Sequence, residues 1–142
     1  MNEKGIKSSA FFFAFLRFCL REGGAEPAGL AEMDWDALYD FGYKQAILGV
    51  FFHGIKRLSQ SEHRPGRQQV LKWYGSCSVI GQANRQAYKD ASELTALMLK
   101  KHGVHGCVLK GQTNALMYPD PYMRTSGAVS YTHLRAHETS LH

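Results

Sequence analysis

Lys110, Gly111, Gln112, Asn114 and Arg124 are the residues whose types and spacing could do chemistry together. The apolar run at residues 104–109, VHGCVL, reads as a short buried strand that delivers a cation and a flexible glycine to its end. A short amphipathic turn at 112–118 follows, and its N-terminus is placed to meet an anion, because the first backbone N–H groups of a helix have no partner inside it. The rigid Pro119-Asp120-Pro121 and then Arg124 supply a fixed approach and a second cation. That is an arrangement for handling phosphate. Alone, Lys110 would be an ordinary surface lysine after a strand, and Gln112 and Asn114 either hydrogen-bond a substrate or cap the short helix. Asp120, between two prolines, suits an Asx-type turn better than metal binding.

Read in full, LKG, a short helix, YPDP and then R-T-S-G resembles the uncharacterised nucleotidyltransferase family of the DNA polymerase beta superfamily. The resemblance implies Mg²⁺-dependent transfer of a nucleotidyl group from an NTP, Lys110, Gly111 and Gln112 facing the triphosphate, and Arg124 as the catalytic cation that neutralises phosphate or braces the metal loop. In that family the motif runs on into two aspartates, D-x-D, on a strand that holds the metal. This chain has Gly127-Ala128-Val129-Ser130 there, so both ligand positions are lost and no metal-binding residue is assigned. Residues 129–139, VSYTHLRAHET, can be encoded by the transposase adapter used in preparing sequencing libraries. The expectation is a native sequence that runs to Gly127, a non-native tail at 128–142 with no regular structure, and a fragment that is itself inactive.

The elements that must position these residues are helical. Ser8 and Ser9 suit N-caps of a helix to about Glu22, where Gly23-Gly24 stop it, and Phe11, Phe12, Phe15 and Phe18 share its apolar face. Too few cations lie opposite for a membrane-surface anchor, so the face belongs to a core or an interdomain contact. Asp34 caps a second helix expected to run to about residue 58, with a wide stripe from Trp35 through Phe51, Phe52 and Ile55 and with Lys44, Lys56 and Arg57 in solvent. The family shares this Asp-Trp before a helical segment. Pro65-Gly66 mark a turn before a third helix from Arg67 to about 101, in which Gly75 and Gly81 signal close packing or a bend. Its segment Gln82 to Gln86 reads as an exposed face, with Arg85 as a group that could look into a cleft. Cations at Lys100, Lys101 and His102, followed by Gly103, end the helix. The fold expected is α+β, a mainly helical region at residues 1–103 and then the first strand and helix of a polymerase-beta-like core at 104–127.

Composition narrows the function further. The 142 residues are 44% hydrophobic and 20% charged, with seventeen Lys and Arg against twelve Asp and Glu. The resulting +5 permits an acidic partner, nucleotide or nucleic acid, without requiring one. Three widely spaced cysteines form neither a disulfide framework nor a zinc knuckle, and they read as buried thiols of a reducing cytoplasm. His102, His105 and Cys107 do not complete a zinc site. No segment approaches the ~18 apolar residues of a membrane span, and no G-x-S-x-G serine nucleophile occurs. A helical protein- or RNA-binding module without catalysis is the alternative from a different class. A phosphotransferase sharing the nucleotide site is a third.

Overall fold

The computed structural model describes residues 3–109, 111–125 and 130–134. Helix α1 spans Glu3–Leu20. It starts before Ser8 and Ser9, which therefore lie inside it rather than at its cap. Its end is held from a distance. Arg57 Nη1 donates to the carbonyls of Phe18 at 2.6 Å and Arg21 at 2.7 Å, and Nη2 to Gly23 at 3.0 Å. The guanidinium also stacks 4.0 Å over the Phe18 ring. Arg57 is thus not a solvent-facing cation: a planar fork of donors matches the orphan carbonyls at a helix end, where a positive charge is also favoured by the dipole.

The expected single helix after Asp34 is two helices, α2 at Trp35–Lys44 and α3 at Leu48–Arg57. Asp34 caps α2 as expected, its Oδ1 accepting from the backbone of Asp36 at 3.1 Å and Ala37 at 2.9 Å. The break falls at Ala46, among the described residues the non-glycine one with positive φ (58°). Ile47 N–H reaches back to the Gly42 carbonyl at 2.9 Å and closes a Schellman-type end. Left-handed backbone costs a residue with a Cβ about 1–2 kcal/mol, and burial on both sides outweighs it: Leu38 before the break and Leu48 and Phe51 after it are each at most 1% exposed.

Helix α3 is the centre of the core, buried along most of its length. Phe15 of α1 packs against Trp35 (5.4 Å between ring centroids) and Phe51 (5.9 Å), and Phe51 meets Trp73 edge-on at 6.3 Å. The aromatic face of α1 therefore serves the core.

Helix α4, Arg67–His102, is a single 36-residue helix, about 54 Å long. Pro65 stands outside it and Gly66 is its N-cap, with the Gln69 side chain accepting from the Gly66 N–H at 3.0 Å. Its other end is as expected: Gly103 adopts φ 61°, and Val104 N–H returns to Met98 at 3.3 Å.

Strand β1, His105–Leu109, pairs antiparallel with β2, Ser130–Leu134, in the register His105 to Leu134 and Leu109 to Ser130. Two expectations change here. β1 is not buried: residues 105, 107 and 109 are exposed, and only the alternate positions are half-covered, Gly106 resting on Thr95 and Met98 of α4. Cys107 is accordingly an exposed thiol, whereas Cys19 and Cys77 are buried as expected. Nor is the tail without regular structure, since residues 130–134 form β2. A strand edge offers a row of unpaired N–H and C=O groups, and the backbone of a neighbouring extended segment satisfies them regardless of its origin. The remaining expectations for the tail fall on residues outside those described. Among the described residues the architecture is mostly helical with one strand pair, so α+β describes it only loosely. Among the described residues no helix is long and apolar enough to cross a membrane.

Candidate functional site

The site is built from the middle of α4 outward. Asn84 is the buried polar side chain of the core, 4% exposed. Its Nδ2 donates to the carbonyls of Tyr122 at 2.5 Å and Arg124 at 2.7 Å. One amide thereby holds the middle residue of a 3₁₀ turn at Pro121–Met123 and the residue that follows it. Asp120 caps that turn, its Oδ1 accepting from Tyr122 N–H at 3.0 Å, which is the Asx-type job its place between prolines suggested.

Further contacts fix the turn against both helices. The Tyr122 ring meets Tyr88 edge-on at 5.6 Å and lies 4.6 Å beneath the Arg85 guanidinium. Met123 sits where side chains would not fit: a Cβ on Gly49 of α3 would overlap the Met123 carbonyl, and one on Gly81 of α4 would lie 3.1 Å from its Cε. Gly81 therefore marks a close approach, as its position in a helix suggested, while Gly75 has nothing within 4 Å and marks none.

Arg124 follows directly on this anchored turn. Its side chain is half-buried, and Nη1 is fully covered without a hydrogen-bond partner among the described residues. An unpaired guanidinium nitrogen in a covered position is costly, and an oxyanion is the group best suited to relieve it. Its charge acts on Tyr88: burial chiefly, with Tyr122 beside it, pushes the Tyr88 hydroxyl above its ordinary range, and Arg124 works in the opposite direction.

The strand side of the expected site is described in part. Gly111 is buried and opens helix α5, Gly111–Ala115, which is tied to β1 through Thr113 Oγ1 donating to the Val108 carbonyl at 3.1 Å. Helix α5 packs against the 121–123 turn, so the elements carrying Gly111 and Arg124 meet. Lys110 lies outside the described residues, as does the side chain of Gln112, while Asn114 is exposed.

Sequence reasoning missed Asn84 by reading 82–86 as one exposed face. The signal was present: Trp73, Cys77, Gly81, Asn84 and Ala91 make a single stripe at helical spacing. Arg85, by contrast, is exposed and engaged with Tyr122.

The metal implied by the resemblance has no fitting ligand set here. Between Asp120 and Glu138 the sequence contains no Asp or Glu, and among the described residues no three His, Cys, Asp or Glu side chains gather into a metal site.

No curated protein and no solved structure matches the chain. A family model does match, over residues 31–129, so its span takes in Asp34-Trp35, the Asn84 anchor and the LKG to Arg124 segment. On that match the chain belongs to the uncharacterised nucleotidyltransferase family.

Proposed function

We propose that this chain carries the phosphate-binding side of a nucleotidyl-transfer site whose substrate is an NTP. The observation that carries the reading is Arg124, a half-buried side chain whose covered Nη1 has no hydrogen-bond partner among the described residues, on a turn that Asn84 holds through the Tyr122 and Arg124 carbonyls. A cation already anchored by its backbone and partly covered meets an anionic group with little reorganisation, which is the property that makes fixed cations effective against charge developing on a phosphate. Lys110 and Gly111 at the start of α5, with Gln112 beside them, are the groups we assign to the triphosphate. Mg²⁺ supplies, in this class of reaction, a bridge between protein carboxylates and phosphate oxygens. Since this chain lacks those carboxylates, the reading includes that it is inactive as it stands.

The test is calorimetric titration with ATP, GTP, CTP and UTP in the presence of magnesium. The chain as it stands is expected to give no metal-dependent micromolar binding. A version in which a strand bearing the family's two aspartates, with the sheet that supports it, replaces residues 128–142 is expected to bind an NTP and turn it over. In that version Lys110→Ala is expected to weaken triphosphate binding and Arg124→Ala chiefly to lower kcat. If the restored protein binds no metal-NTP by calorimetry or in a crystal soak, nucleotidyl transfer is the wrong reading and a helical protein- or RNA-binding module takes its place.

A further inference from the structure

The far end of α4 holds a second feature that the nucleotidyl-transfer reading does not use. The C-terminal end of α3, the first turn of α4 and the loop between them enclose a cavity of about 450 Å³. Arg67 at this cavity and Asn84 at the Arg124 site are seventeen positions apart on the helix, about 25 Å along the axis. The two are therefore separate places. Phe52, Ile55, Pro65 and Val70 form its apolar body. Lys56, Arg64 and Arg67 also line it, and no Asp or Glu does.

These cations are committed to little else. Lys56 Nζ lies 5.5 Å over the Phe52 ring, and Arg64 Nη1 donates to the Ser59 carbonyl at 2.8 Å, which holds the loop in place and still leaves the other donors of the fork. None of the three makes an ion pair among the described residues, where the ion pairs are Lys72 with Asp36 and Lys89 with Glu93. The first turn of α4 adds positive potential of the same sign. A concave apolar space in the size range of small-molecule sites, lined by exposed groups of one charge, selects for the opposite charge on an apolar body.

We infer that this cavity binds a small amphipathic anion, an aromatic or branched aliphatic body carrying one carboxylate, sulfonate or phosphate-ester head. The body fills the space between Phe52, Ile55 and Val70, and the head meets Arg64 and Arg67 at the mouth. A flat partner such as a membrane surface would not enter a concavity of this kind, and the size and the enclosing loop fit a single small molecule.

The probe is anilinonaphthalene sulfonate, followed by its fluorescence, with uncharged phenylnaphthylamine as the neutral counterpart. The sulfonate is expected to bind at one saturable site, about tenfold or more tighter than the neutral probe, because a charge-assisted contact is added to the same apolar burial. Arg64→Gln with Arg67→Gln is expected to remove that tenfold preference and leave the neutral probe unchanged. Lys56→Gln is a second charge variant that leaves the Arg64–Ser59 contact intact and should reduce the preference by itself. Val70→Trp, which fills the space, should weaken both probes. Circular dichroism and melting temperature show that each variant is folded. Equal affinity for the two probes, retention of the preference in folded Arg64→Gln/Arg67→Gln and Lys56→Gln variants, or loss of the signal in Leu97→Ser at the other end of α4 overturns the proposal.

Discussion

The two halves of α4 carry similar apolar residues and use them differently. In the first half Trp73 and Cys77 are each 1% exposed, covered by the aromatic layer of α1, α2 and α3. In the second half Leu94, Leu97 and Leu99 are 41%, 45% and 47% exposed, although β1 and α5 lie against that part of the helix. The first half also exposes Leu71, Tyr74 and Val79 on its outer face, so the difference lies in the buried stripe: the half with the deep core carries the fold, and the half whose leucines stay part-exposed carries the elements expected to do chemistry. A helical stripe thus says that a face is apolar, and not whether anything covers it. The junction between the halves is Asn84, where polar contacts rather than apolar burial attach the Arg124 turn to the rigid part.

The largest difference should appear on truncation. Phe51→Ala removes a ring packed against Phe15, Phe41 and Trp73 and is expected to cost about 3–5 kcal/mol in chemical denaturation. Leu97→Ala should stay within about 0.5 kcal/mol, as surface changes do. Equal costs for the two would break the contrast.

Asn84→Ala comes next, at about 1–3 kcal/mol, because it leaves the carbonyls of Tyr122 and Arg124 without their donor. It is also local. Amide exchange at Tyr122 and Met123 should accelerate while that of α3 stays slow. Uniform acceleration would mean that the turn and the core are one unit.

The buried thiols sharpen the same contrast through pH. Burial pushes Cys19 up to about 12 and Cys77 to about 11, against an ordinary value of 9.0. The folded chain keeps these protons where the unfolded chain releases them. Stability is therefore fully present below about pH 9 and is lost as pH rises from there towards 12, at no more than about 1.4 kcal/mol per pH unit for each thiol. Denaturation midpoints between pH 8 and about 11 check this, and Cys19→Ala should flatten the slope. In the folded protein at neutral pH, a thiol reagent should label exposed Cys107 first, with Cys19 and Cys77 reacting only on unfolding.

The smallest effect separates two glycines of one helix. Gly75→Ala should stabilise by about 0.5–1 kcal/mol, since the added Cβ meets nothing within 4 Å and the helix gains propensity. Gly81→Ala gains the same propensity but presses on Met123, so its net benefit should be smaller or absent. A gain at Gly81 as large as at Gly75 would show that the Met123 contact is loose.

Much of the fold was legible where its cause is local. The Asp34 cap, the Gly103 stop and the Asp120 turn each depend on a side chain or a glycine within five residues of the backbone group it serves. The α2–α3 break was not legible, because Ala46 takes a backbone that usually calls for glycine. The apolar stripe did slip there: both Ile47 and Leu48 fit it, and Leu48 is the one buried, at 1%. At the site, Arg124 was legible by its motif, and Asn84 was hidden by polar neighbours at 82, 85 and 86.

By itself the sequence determined the helical content, the family, and the absence of Asp and Glu between Asp120 and Glu138, because composition, periodicity and motif are properties of residue order. Only the tertiary structure decided that Arg57 caps α1, that Asn84 clamps the Arg124 turn and that three cations gather at one cavity. The first two of these join groups 39 and 40 positions apart, Arg57 with Phe18 and Asn84 with Arg124. A side chain that serves a backbone so distant leaves no pattern among its own neighbours, and its partner is chosen by how the helices pack.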